Sequence, residues 1–155
     1  MKRLARRIGA ALKQRGLLLV TAESCTGGWV AMEVTAIAGS SEWFERGYVT
    51  YSNAAKREEL GVPARTLRRY GAVSEETARA MAVGALRHGR GQVALAVTGV
   101  AGPTGGSRDK PVGTVCFAWA HGSKISSETR RFDGDRASVR RQSVLRALQG
   151  VLELL

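Results

Sequence analysis

Leu4, Ile8 and Leu12 recur every four positions, so residues 3–14 are predicted as an amphipathic helix that ends before Gly16. The run LLLVTA at 17–22 is short and unbroken by charge, which fits a buried strand. A turn, ESCTGG, follows at 23–28, where Gly27 and Gly28 allow close backbone approach. Residues 28–38 are mostly apolar and read as a helix stopped by Gly39. FERGYVTYS at 44–52 reads as the next strand. Ser52 then caps a short helix, NAAKREEL, closed by Gly61, and PARTLRRYG is a short helical connector. Ser74 caps a longer helix whose Glu75 and Glu76 suit its positive end.

The second half opens with QVALAVTG at 92–99, a buried strand, and a loop GVAGPTGGSRDKPVG too rich in Gly and Pro for regular structure. VGTVCFAWA and KISSETRRF are predicted as a hairpin turning at HGS. Asp133 or Asp135 starts a last helix with an apolar face of Val144, Leu148, Val151 and Leu155, flanked by Leu145 and Leu152. Strands and helices alternate through the first hundred residues. The expected fold class is therefore α/β: a three-layer α/β/α sandwich with a mainly parallel mixed sheet, the hairpin supplying the mixed part. Ligands in such sheets collect at the carboxyl ends of strands, and ESCTGG, YSNAAK and TGVAGPTGGS all fall at predicted strand ends.

Composition narrows the picture. The chain has 155 residues, 44% hydrophobic and 24% charged, which suits one globular domain over 1–155. Its basic start is followed by only four consecutive apolar residues and no cleavage site, so a cytoplasmic protein with no membrane partner is expected. Cys25, Cys116, His88 and His121 lack metal-ligand spacing, so no metal and no cofactor are expected. The net charge of +11 favours anionic partners, but the arginines are dispersed and no nucleic-acid-reading module is present. A solvated basic surface accounts for them, and nucleic acid is not the expected partner.

Ser24 is either a helix-capping residue or a nucleophile. Neither histidine is well placed to activate it, which leaves lysine, the base of serine–lysine sites, once burial lowers its pKa. Lys56 is the candidate, four residues after Ser52 and five after Tyr51. A tyrosine there is able to relay a proton or position the serine. A lysine on a short helix is otherwise an ordinary exposed residue. Backbone amides from Cys25 through Thr26, Gly27 and Gly28 suit an oxyanion or a phosphate, while Cys25 itself reads as a small buried side chain. Asn53, the first residue of the same predicted helix as Lys56, is a candidate substrate contact. Thr98, Gly102, Gly105 and Gly106 form either an anion-binding nest or a surface loop. Arg136, one turn before Arg140, is either a phosphate grip or a solvated arginine.

The stretch AESCTGGWVAMEVTAIAGSSEWFERGYVTYSNAAKREELGV resembles the nicotinamide-mononucleotide deamidase family, also described as the carboxy-terminal domain of the competence-damage protein CinA. The likeness continues through GAVSEETARAMAVGAL, TGVAGPTGGSRDKPVGTVCFAWA and FDGDRASVRRQ. It implies metal-independent hydrolysis of nicotinamide mononucleotide to nicotinate mononucleotide and ammonia, by a homo-oligomer. It places a catalytic serine, tyrosine and lysine on Ser24, Tyr51 and Lys56, with Thr98 and Arg136 near the substrate. Two alternatives remain at this level: an amidase for another substrate, and a non-enzymatic nucleotide- or DNA-binding module acting through its basic face.

Overall fold

Large and small apolar residues alternate along the central strands, and that alternation sets the layers. The computed structural model describes residues 1–155. Its elements run α1 (Lys2–Arg15), β1 (Leu19–Glu23), α2 (Trp29–Thr35), a 3-10 turn (Ser40–Glu42), β2 (Phe44–Val49), α3 (Asn53–Leu60) and α4 (Ala64–Tyr70). They continue with α5 (Glu75–His88), β3 (Val93–Gly99), β4 (Thr114–His121), β5 (Lys124–Arg131) and α6 (Arg136–Leu154). The five strands form one sheet in the order β2-β1-β3-β4-β5. β1 pairs parallel with β2 and β3, whereas β3–β4 and β4–β5 are antiparallel, so only β4 runs against the rest. This is the three-layer α/β sandwich expected from the alternation of elements.

On one face Leu19, Val93, Leu95, Val97, Val115, Phe117 and Trp119 meet Ile8 and Leu12 of α1, Val30 and Val34 of α2, and the inner stripe of α6. On the other, Ala22, Ala94, Ala96, Ala118 and Ala120 present a low surface to α3, α4 and α5. Small residues on the sheet and on α5 (Ala78, Ala82, Ala85) bring that helix close. Gly84 of α5 takes the approach furthest: a Cβ there would overlap the carbonyl oxygen of Leu60, the last residue of α3. Gly84 therefore fixes how deeply α3 sits.

Most boundaries agree with the periodicity. The helix predicted over 28–38 is shorter, ending at Thr35, because the chain needs residues 36–43 to turn back toward β2. β2 stops at Val49, so Thr50 and Tyr51 lie past the strand end and not within it. Asp135, rather than Asp133, caps α6, its side chain accepting from the Ser138 amide at 2.8 Å. The buried stripe of α6 is Val139, Val144, Ala147, Leu148, Val151 and Leu154, and Leu145 lies on the exposed side. Leu155, expected in the stripe, is only partly buried at the helix end.

Helix propensity alone would make Gly84→Ala stabilising by about 1 kcal/mol. The overlap with Leu60 reverses that sign. We expect the substitution to cost about 1–3 kcal/mol, as overpacking does. Urea unfolding checks it, and a raised midpoint would mean that α3 and α5 separate freely.

Candidate active site

The carboxyl ends of β2, β1 and β3 lie side by side, so the three loops singled out in the sequence meet at one edge of the sheet. Ser24 follows β1 directly. Its amide donates to the Val97 carbonyl at 2.9 Å, which extends the β1–β3 ladder by one bond. On the other side the Thr50 amide donates to the Glu23 carbonyl at 2.9 Å. The serine is thus held between two neighbouring strand ends before its side chain makes any contact.

Lys56 arrives from α3. Ser52 caps that helix, its hydroxyl accepting from the Ala55 amide at 3.0 Å, and Gly61 ends it in the left-handed conformation with φ 64°. This short, doubly capped helix aims Lys56 inward, where the side chain is 1% exposed. Nζ lies 3.0 Å from Ser24 Oγ and donates to the Thr50 carbonyl at 2.9 Å. Burial lowers the Lys56 pKa below the ordinary lysine value, opposed only in part by the nearby Cys25 thiol. The ordinary fate of a helix lysine, exposure to water, is not the one found here.

The pair opens into a cleft of about 290 Å3 lined by Tyr51, Asn53, Thr98, Gly102 and Arg136 among others, with no carboxylate in its wall. A larger hollow of about 790 Å3 lies beyond Val73, over Glu75, Arg79 and Lys110; its Ser127 and Thr129 hydroxyls donate to the Glu75 carboxylate at 2.8 and 3.0 Å, and no buried amine faces them. Arg136, the first residue of α6, spans the mouth of the smaller cleft. Its guanidinium donates to the Gly102 carbonyl at 2.8 Å and to the Tyr51 hydroxyl at 2.9 Å. Both acceptors are neutral, so its charge is uncancelled. Tyr51 is 60% exposed and its hydroxyl meets Arg136, not Ser24 or Lys56. Thr98 is buried and its hydroxyl donates to the Ala72 carbonyl at 2.8 Å, which ties β3 to the segment before α5.

The remaining predicted residues divide into two groups. Cys25 lines the cleft but its thiol is buried and pushed up to about 12 by desolvation, so it is no nucleophile near neutrality. Gly27 and Gly28 adopt φ 59° and 96°, conformations that make the turn tight. Their amides are already used: Gly27 donates to the Ser24 carbonyl at 3.0 Å and Gly28 to the Glu23 carboxylate at 3.0 Å. The Thr26 hydroxyl is likewise bound to Glu23, and the amides of Cys25 and Thr26 alone in this turn have no partner. Arg140 does not reach the cleft wall; its guanidinium donates to the carbonyls of Cys25 and Thr26, each at 3.0 Å. Gly106 lies outside the wall, against Val112, while Thr104 and Gly105 take part in it. Glu23 was not singled out in the sequence, where a lone acid between a strand and a turn carries no signal.

Fold and cleft together define an α/β protein with a serine–lysine pair of the kind that serves acyl-transfer hydrolases. The chain belongs to the CinA C-terminal domain family, whose model matches residues 1–155. It is 54% identical over 151 residues to a Pseudomonas putida protein named nicotinamide-nucleotide amidohydrolase PncC, covering 97% of this chain and 94% of that one. A protein of the same name from Escherichia coli K12 is 54% identical, over 96% of this chain and 91% of its own length. Among solved structures, the competence/damage inducible protein CihA from Agrobacterium tumefaciens matches with a TM-score of 0.96 at 47% identity, covering 99% of this chain and 94% of that one.

The buried amine has a stability consequence whose sign is fixed. Its folded-state pKa lies below the ordinary lysine value of 10.5, so the unfolded chain holds the extra proton over that window. Folding stability therefore falls as pH drops from 10.5 toward the folded value. Lys56→Met removes this dependence. We expect the variant to gain stability relative to the parent as pH falls toward neutrality, with the two converging above pH 10. Thermal unfolding across pH measures it; parallel curves would mean that Lys56 stays charged when buried.

Proposed function

We propose that this protein is a nicotinamide-nucleotide amidohydrolase that converts nicotinamide mononucleotide and water to nicotinate mononucleotide and ammonia. The observation that carries the reading is the 3.0 Å approach of a buried, pKa-lowered Lys56 amine to Ser24. Two relatives sharing 54% identity over nearly the whole chain carry the amidohydrolase name, which supports the substrate class.

In the proposed reaction the neutral amine keeps one N–H on the Thr50 carbonyl, which turns its lone pair toward the serine hydroxyl. Lys56 takes the hydroxyl proton as Ser24 Oγ attacks the carboxamide carbon. The oxyanion of the tetrahedral intermediate is met by the Cys25 and Thr26 amides, the two without an internal partner. Lys56 returns the proton to the leaving nitrogen and ammonia departs. Water, deprotonated by the same amine, then hydrolyses the ester on Ser24 and restores the enzyme. Direct transfer needs no relay, and Tyr51 instead holds Arg136 over the mouth. Arg136 is the cation for the substrate phosphate, since its present partners are neutral and an anion would displace them. Asn53 and Thr98 shape the pocket between phosphate and carboxamide ends.

Ammonia release from nicotinamide mononucleotide, measured in EDTA, tests the assignment. Wild type should turn over, and Ser24→Ala should lose at least about a thousandfold in kcat, since subtilisin's triad serine costs more than that. Lys56→Arg should fail equally, because a guanidinium does not give up its proton. Activity in the folded Ser24→Ala variant would remove serine as nucleophile, and an active Lys56→Arg enzyme would remove lysine as base.

A further inference from the structure

Glu23 is fully buried, one residue before the proposed nucleophile, and no lysine or arginine pairs with it. Its partners are four donors from the following turn and helix. One oxygen accepts from Thr26 Oγ1 at 2.7 Å, from the Gly28 amide at 3.0 Å and from the Val30 amide at 3.0 Å. The other accepts from the Ala31 amide at 2.9 Å. Burying a carboxylate without a counter-ion is costly, and here only hydrogen bonds and the positive end of α2 compensate it.

A cheaper solution was open to the chain. A serine, threonine or aspartate at the N-cap satisfies the same helix amides locally. The N-cap is instead Gly28, with φ 96° and no side chain, and the work passes to a residue at the end of β1. The difference is geometric. A local cap would leave the turn free to move, whereas Glu23 ties the strand end to the helix start and draws Ser24–Gly27 taut between them. Arg140 holds the carbonyls of Cys25 and Thr26 from α6. With trans peptides, pinning a carbonyl also aims the amide on its far side. Every amide from Gly27 to Ala31 is engaged inside the protein, and only those of Cys25 and Thr26 are left.

We infer that Glu23 is the positioning residue for Ser24: its carboxylate occupies the start of α2, fixes the serine on Lys56 and leaves Cys25 and Thr26 as the oxyanion donors. The inference rests on the serine-nucleophile reading above. Glu23 touches no substrate in this scheme and acts only through the turn.

The test compares wild type with Glu23→Gln and Thr26→Val. Gln keeps the shape, but its amide group must face at least one backbone N–H and lose that bond. Val removes the Thr26 hydroxyl and leaves the carboxylate. Two rates are read per folded molecule: ammonia release from nicotinamide mononucleotide, and covalent labelling of Ser24 by a fluorophosphonate. In Glu23→Gln both should fall about tenfold or more, with KM within about threefold of wild type, because the serine is displaced while the phosphate grip is intact. Thr26→Val should show the same pattern at about threefold. A lowered melting temperature with both rates unchanged per folded molecule overturns the inference and leaves Glu23 a structural brace. If Glu23→Gln does not fold, Thr26→Val decides by the same criterion. Wild type that is labelled at Ser24 yet releases no ammonia refutes the substrate alone. Wild type that is not labelled, beside an active Ser24→Ala, removes the nucleophile and Glu23's role with it.

Discussion

An amine held away from water between a serine hydroxyl and a backbone carbonyl is the constraint around which the molecule is organised. A protonated lysine buried without a carboxylate is unstable, so burial favours the neutral form. No acid lines the cleft to undo that preference. Shielding the amine from water except toward the cleft takes several elements: α3 supplies the lysine, the residue after β1 the serine and the Thr50 carbonyl after β2 a partner. The alanine face of the sheet and Gly84 matter for the same reason, since they seat α3 deeply enough for Lys56 to reach the strand end.

The anionic and cationic groups of the site are kept apart by distance and by partner. Glu23 spends its charge on amides below the turn, and Arg136 keeps its own at the mouth, bonded only to neutral oxygens. Had Glu23 faced the cleft, it would have favoured the protonated lysine and repelled a phosphate. Had Arg136 met an acid, an incoming anion would have had to compete with an ion pair. The net charge of +11 adds a general attraction for anions, and the local arrangement adds a cation at a cleft mouth whose wall has no carboxylate.

The fold was legible because its elements are locally consistent: period-four apolar residues in α1, serine caps before α3 and α5, and glycines at helix ends. The convergence of three loops was legible from the order of strands and helices, since consecutive parallel strands put their carboxyl ends on one edge. The spacing of Lys56 from Ser52 and Tyr51 did not reveal its burial. A lysine's burial depends on what packs across it, here a residue 32 positions away in the chain. The last helix was misjudged at Leu145 and Leu155 for a related reason. Its periodicity leaves the exact facing open by a fraction of a turn, and Trp119, whose indole N–H donates to the Ala147 carbonyl at 2.8 Å, fixes it.

Glu23 was illegible for a different cause. A helix start is normally read from a capping side chain at the N-cap, and the glycine there looks like an uncapped end. The donors are satisfied from upstream by Glu23, which the sequence reading puts at the start of the turn and the structure makes the last residue of β1. Polar groups that complete a buried network carry no periodicity, because their partners are set by the three-dimensional path of the backbone. The amides from Cys25 to Gly28 were left open to an oxyanion or a phosphate for the same reason: glycine reports that the backbone bends, not where its amides point. In this turn the bend serves to pack amides against an internal carboxylate. That leaves the two residues after the serine as its only open donors, and a turn that looked receptive along its whole length is reduced to a single pair of amides beside Ser24.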